Sequence, residues 1–391
     1  MRNLRGIIVA AVFAALTMLL VWVADRFDVL MGMAYPFMSK TIVELMGAWT
    51  SQFSFNLWQV AIAVFAMVVL VSFGLALLFR WNLLRWLGCM LVPVALAVFL
   101  NTAVWGLNYY TKPIGEGMKL EVVEYTISDL KEAALYYRDQ AITLADQVPR
   151  DDSGNLVVGD LAELNEVAAQ SYDDLVWKYS IFAGSRGPIK ALGWSGLLSR
   201  LGVDGVTIGL TGEAAINLGQ SSATIPFKMC REMAKLLAFA REDEANFAAY
   251  LACEYSEDIA FRYSGYLHAF QYCSNALHDV SKSAWQEVWE EVPDTIYHDV
   301  NAINAYAAEV AGETSVDIQR IYDGMLKVLD EDKSIDAYGE VTDLLVAWYV
   351  DQYRPVEDVE VNPFDPTDYS WVFPTELPTE NTDTTEATGE G

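Results

Sequence analysis

The sequence predicts a mainly α-helical membrane protein: a three-helix transmembrane region, then a helical outer domain carrying one short β element. Three observations lead there. Three charge-free stretches, Gly6 to Ala24, Leu57 to Phe79 and Trp86 to Leu107, are each long enough to cross a bilayer as a helix. Helical spacing of apolar residues dominates from residue 126 onward. One stretch, residues 184 to 220, holds nine glycines and alternates as strands do. The organisation expected is a transmembrane region over 1–110, an outer domain over 111–355 and an acidic tail over 356–391.

The 391 residues hold 25 Lys and Arg against 53 Asp and Glu, a net charge of −28, and the charge is unevenly spread. Residues 1–107 carry six basic and three acidic side chains, so the remainder is left with −31. Such a domain repels phosphate, and nucleic acid is excluded as a partner. Arg2 and Arg5 precede the first span, and Arg80 and Arg85 bracket the turn between the second and third. The positive-inside rule puts these in the cytoplasm of a multi-pass plasma-membrane protein and puts residues after 107 outside. Trp81, Trp86, Trp105, Tyr109 and Tyr110 stand near span ends, where amphipathic rings favour the headgroup layer. No span interior carries an ionisable group, so an anchor is expected rather than a transport path. A cleaved signal peptide is disfavoured, because no small-x-small site precedes Asp25.

In chain order, residues 25 to 56 are semi-apolar and are expected to cover the base of the outer domain. "TKPIGEGM" is a short linker. A helix is expected over 126–147 with Ser128 as its cap, and another from about Gly159 to Tyr179. Val206, Ile208 and Leu210 alternate, Thr211 and Gly212 turn, and Ala215 to Leu218 return, which makes the one β element. From Thr224 to about Val350 the chain reads as helix, with Thr224 and Pro226 as the opening signal. Residues 356 to 391 hold ten acidic residues, no basic ones and repeated Pro and Thr, the composition of a disordered tail. Cys230, Cys253 and Cys273 fall outside the spans; three cannot all pair, and a Cys253–Cys273 bridge is one option.

The stretch that bears on chemistry is "MCREMAKLLAFAREDEANF" at 229–247. A zinc-protease helix places two histidines at i and i+4, on one face, with a glutamate between them as general base. Here Arg231, Glu232 and Lys235 reproduce that frame with only the glutamate in place. The wider run "TIPFKMCREMAKLLAFAREDEANFAAYLAC", with "LTGEAAINLG" and "YSGYLHAF", resembles an uncharacterised bacterial membrane family, a domain of unknown function whose members read roughly "PFTxCHExAHxxGxAREDEANFxAYLAC". The likeness is specific over 224–253 and looser across most of 1–350.

The resemblance implies a zincin-like outer domain of the gluzincin kind, similar to the membrane heat-shock and prenyl-protein proteases. Carried over residue by residue, it puts Arg231 and Lys235 at the first two ligand places and Glu232 at the general-base place. Glu242 falls at the third ligand place with Glu244 as the alternative, and Asn246 falls where an aspartate would orient a ligand. This chain departs from the family at the two ligand places. A guanidinium has no lone pair to give, and an ammonium must lose its proton first, so zinc is not expected here although metal-competent relatives would hold it. His268, His278 and His298 do not stand at i, i+4 from one another and do not repair the set. Arg231 and Lys235 are expected to fill the metal cavity and pair with Glu232, Glu242 or Glu244. The function expected is a membrane-anchored, inactive metallopeptidase-like scaffold for a peptide or protein partner. The alternatives are a hydrolase with an altered site and a purely structural membrane interaction protein.

Overall fold

The structure, a computed structural model, describes residues 4–184, 186–310 and 337–354. The acidic tail expected at 356–391 lies outside the described residues. Three helices are long and apolar enough to cross a membrane: α1 (Arg5–Arg26), α3 (Leu57–Leu78) and α4 (Leu83–Val104). The expected starts and ends are met within a few residues. The largest difference is at α4, which begins before Trp86 and takes Arg85 into its first turn, because the Asn82 side chain caps the Arg85 N–H at 3.0 Å. Helices α1 and α4 approach each other at Gly6 and Gly88, where a Cβ on Gly6 would stand 2.5 Å from the Gly88 carbonyl carbon. Only a residue without a side chain permits that approach.

Between α1 and α3 the chain makes a π-helical turn (Leu30–Ala34) and the helix α2 (Tyr35–Thr50). One face of α2, Tyr35, Ser39, Val43, Gly47 and Thr50, is buried, and the Thr50 hydroxyl meets the Thr211 carbonyl at 3.2 Å. Gly47 meets Gly212, whose φ of +62° is left-handed and whose Cβ, were there one, would lie 2.4 Å from the Gly47 nitrogen.

After α4 come a 3₁₀ turn (Gly106–Tyr110) and α5 (Ile114–Met118), then the long helices α6 (Ile127–Ala145) and α7 (Leu161–Lys178). Both long helices open with a reciprocal capping box, Thr126 with Asp129 and Asp160 with Glu163. Ser128 is therefore not the cap of α6. Thr126 accepts the Asp129 N–H at 3.2 Å while the Asp129 carboxylate accepts the Thr126 N–H at 2.7 Å, which leaves Ser128 inside the first turn.

The β element is larger than a hairpin. Strands β1 (Ile189–Ala191), β2 (Gly205–Ile208) and β3 (Glu213–Ile216) form one sheet in the order β1-β3-β2, with α8 (Ser195–Ser199) between the first two. β2 and β3 run antiparallel from Gly205 opposite Ile216 to Ile208 opposite Glu213, and β1 joins β3 in parallel. Leu210, expected to extend the first strand, lies in the turn, and β1 is too short to show an alternation.

The helices α9 (Ile225–Leu236), α10 (Glu242–Tyr255), α11 (Ile259–Val280), α12 (Lys282–Trp289), α13 (Asp294–Val310) and α14 (Ala337–Gln352) complete the described chain. One continuous core joins α6, α7, α9, α10, α11 and α14, filled by Tyr137, Tyr172, Phe227, Phe247, Tyr250 and Trp348. Its tyrosines keep their hydroxyls satisfied, Tyr172 donating to the Cys230 carbonyl at 2.9 Å and Tyr137 to the Leu345 carbonyl at 2.7 Å. Cys230, Cys253 and Cys273 are buried free thiols, so the Cys253–Cys273 bridge does not form; Cys253 instead sits within hydrogen-bond reach of Cys230.

Candidate functional site

Helix α9 carries the REMAK frame. Thr224 does not cap it, for its hydroxyl makes no hydrogen bond among the described residues; the Ser264 hydroxyl from α11 takes the Phe227 N–H at 3.2 Å instead. Ten of its twelve residues are buried, Glu232 and Lys235 among them, so the charged face at 228, 231, 232 and 235 lies largely against protein rather than water. Glu232 is wholly buried. Its Oε1 accepts from Arg231 Nη2 at 2.8 Å and Nε at 3.1 Å, and its Oε2 accepts from the Thr207 hydroxyl of β2 at 2.8 Å. Lys235 Nζ stands 3.7 Å from Glu232 Oε1 and donates to Glu242 Oε1 at 2.6 Å. Glu242 opens α10, after a turn in which Ala238 adopts a left-handed φ of 73°.

Arg231 and Lys235 thus point inward and share the carboxylates of Glu232 and Glu242. The balance of forces is visible in the ionisation of each group. Burial alone pushes the Glu242 carboxyl up, but the charges of Lys235 and Arg231 outweigh it and bring it down to about 2. Burial likewise opposes ionisation of Glu232, and Lys235 and Arg231 again prevail, so it too is held below the usual range. Lys228, one turn earlier, has Asp204 at 3.6 Å; burial, aided by repulsion from Arg231, outweighs the pull of Asp204, Glu242 and Glu232 and lowers its ammonium to about 8. His268 of α11 stacks on Phe227 with ring centroids 4.2 Å apart, and its Nδ1 meets the Ser264 carbonyl at 2.9 Å. Burial keeps this ring neutral by lowering its pKa to about 3.

Glu244 belongs to a different set of contacts. It pairs with Arg241 and accepts the Ile114 N–H at 2.7 Å, fastening α10 to α5. Of the two acidic residues considered for the third position, Glu242 is the one that meets Lys235. Asn246 lies one turn beyond Glu242, with its Oδ1 buried and without a hydrogen-bond partner among the described residues. His278 and His298 sit beside Asp279 and Asp299, apart from these groups.

The side chains around Glu232 do not fit a zinc ion. A catalytic zinc takes three protein ligands with lone pairs to give, and here Arg231 and Lys235 are cations hydrogen-bonded to Glu232 and Glu242. Among the described residues, no group of three or more His, Cys, Asp or Glu side chains is gathered closely enough to hold a metal.

Sequence reasoning missed the partners that come from elsewhere in the chain. Thr207 reaches Glu232 from β2, and a Cβ at Gly205 would stand 2.6 Å from Glu232 Oε1, so the strand is laid directly on the carboxylate. A second buried pair, Lys190 with Glu213 at 2.7 Å, joins β1 to β3. Glu213 also accepts the Leu57 and Trp58 N–H groups at 2.9 and 3.2 Å, capping the start of α3. The signal for it was a single carboxylate inside the apolar run "GEAAI". Beside α4, Trp105 donates its indole N–H to the Lys235 carbonyl at 3.0 Å and Asn101 Oδ1 accepts the Leu210 N–H at 3.2 Å. The site helix and the sheet are therefore bonded directly to the membrane-capable helices.

Among known proteins, a family described as "Protein of unknown function (DUF3810)" matches residues 33–346. No curated protein and no solved structure matches the chain.

Proposed function

The chain belongs to this family of proteins of unknown function, and from that premise we propose that it is a membrane-anchored metallopeptidase-like scaffold that binds a peptide or protein partner without cutting it. The N-terminus lies in the cytoplasm in this reading, and the outer domain lies on the far side of the membrane. The observation that carries the proposal is the inward turn of Arg231 and Lys235 onto Glu232 and Glu242. Were these ordinary charges on a helix face, their heads would lie in water; instead their side chains are only 12% and 10% exposed. Two fixed cations beside two carboxylates do electrostatically what a dication would do, and carboxylates gathered this way are costly to bury otherwise. Without an activated water, Glu232 has no nucleophile to prepare.

The binding part of the proposal is supported by β2. It is an outer strand of the sheet, paired only to β3 among the described residues, and it runs alongside the buried carboxylate. An extended peptide adds to such an edge through main-chain hydrogen bonds, which need no metal.

Arg231→His with Lys235→His in the full-length protein is the experiment. The double variant is expected to take up about one zinc per chain, the single variants much less, and Glu242→Gln in the double background to lose most of it. A double variant that folds and stays free of zinc would count against the inherited frame and the placing of Glu242.

A further inference from the structure

Helix α2 has two faces, and only one of them is covered by protein among the described residues. Residues 27–34 connect it to the end of α1 and residues 51–56 lead from it into α3. A helix of 16 residues, about 24 Å long, that leaves and rejoins two spans through connectors this short lies along the bilayer surface rather than standing out from it. Its face toward the outer domain is buried. Its opposite face presents Phe37, Met38, Thr41, Leu45, Ala48 and Trp49, an arc of about 120° at 100° per residue. Phe37, Leu45 and Trp49 are 75%, 67% and 54% exposed. The ammonium of Lys40 is turned away onto the Ile181 and Ala183 carbonyls at 2.6 and 2.9 Å, which leaves Glu44, at the border of the arc, as the ionisable group near it.

A second apolar patch lies at the mouth of α3. Gln59, in the first turn of that helix, exchanges two hydrogen bonds with Gly193, at 2.7 and 3.0 Å. The neighbouring Trp194 and Leu197 are 52% and 61% exposed, with Arg200 exposed one turn on. Trp194 is held at a left-handed φ of 55°, a conformation that residues with a Cβ seldom adopt. The patches are linked: Asn56 donates to the Ala191 carbonyl at 2.8 Å and Lys190 to the Thr50 and Phe55 carbonyls at 2.9 and 3.0 Å.

We propose that the outward face of α2 and the Trp194–Leu197 turn form one collar seated in the headgroup–acyl boundary of the bilayer that α1, α3 and α4 cross. The occupant is lipid, because both patches continue from the points where the spans emerge. Tryptophan with a nearby arginine suits that layer, the ring in the boundary and the guanidinium among phosphates. The collar docks the outer domain flat on the membrane, and it rests on the reading of the three apolar helices as spans.

Full-length protein in phosphatidylcholine and phosphatidylglycerol vesicles, spin-labelled at one cysteine at a time, tests this. The native Cys89, exposed on α4, reports the spans; Leu45→Cys and Leu197→Cys, in a Cys89→Ala background, report the collar; Trp177→Cys on α7 is the comparison site. The buried thiols stay unlabelled. Labels at 45 and 197 are expected to show a ratio of oxygen to water-soluble nickel collisions several-fold above that at 177. A lipid-exposed Cys89 with 45 and 197 as aqueous as 177 overturns the collar alone, and an aqueous Cys89 overturns the spans with it. Exclusion of both relaxers at 45 and 197, with dipolar broadening, places a second copy there and overturns the proposal equally.

Discussion

Glu213→Ala is expected to be the most damaging single change in the protein. It strands the Lys190 ammonium, which is nearly as buried as its partner and keeps only the Thr50 and Phe55 carbonyls. Removing one member of a buried pair costs about 3–5 kcal/mol, since the other charge remains without compensation. The N-cap of α3 goes with it, for about 1 kcal/mol more. The detergent-solubilised variant should unfold roughly 10 °C or more below the parent. Lys190→Met with Glu213→Leu removes both charges and should recover most of that loss, leaving the cap deficit. If the double variant is as unstable as Glu213→Ala alone, the loss belongs to packing and not to the stranded charge.

Arg231→Met is expected to follow closely. Glu232 then keeps the Thr207 hydroxyl and Lys235, whose Nζ stands at 3.7 Å and is already engaged by Glu242. The cost is about 3 kcal/mol, toward the lower end for a broken buried pair, because Lys235 can take up part of the charge. Neutralising the carboxylate as well, with Glu232→Gln, should return most of the stability, which thermal unfolding of the two variants measures directly. Acid shows the same dependence by another route. Glu242 titrates at about 2 in the fold against an ordinary 4.5, so the unfolded chain binds its proton first and the stability this group contributes is lost as pH falls from above 4.5 toward 2. The buried neutral His268 acts in the same sense between 6.5 and about 3, where the unfolded ring is protonated and the folded one is not.

The parts of this molecule that sequence reveals are those fixed by local rules. The three apolar helices follow from composition over about 20 residues, and α6, α7 and the helices after Thr224 follow from spacing. The hairpin was visible in the alternation of Val206 and Ile208 and the turn at Gly212. β1 was not, because three residues beside β3 are stabilised by pairing with a strand more than twenty positions away. The misplaced cap of α6 shows the same limit on a smaller scale, for Ser128 and Thr126 are both good caps and only the reciprocal bond with Asp129 decides between them. At the site, the sequence showed which residues stand on one helix face. Their partners from β2 and α10, and the fastening of Lys235 to Trp105, depend on which distant segments the core brings alongside.

The most direct measurement is the metal content of the unmodified full-length protein, purified in the presence of zinc and then dialysed. With Arg231 and Lys235 paired to Glu232 and Glu242, zinc should fall far below one equivalent per chain. One tightly held equivalent that Glu232→Gln or Glu242→Gln releases would contradict the account.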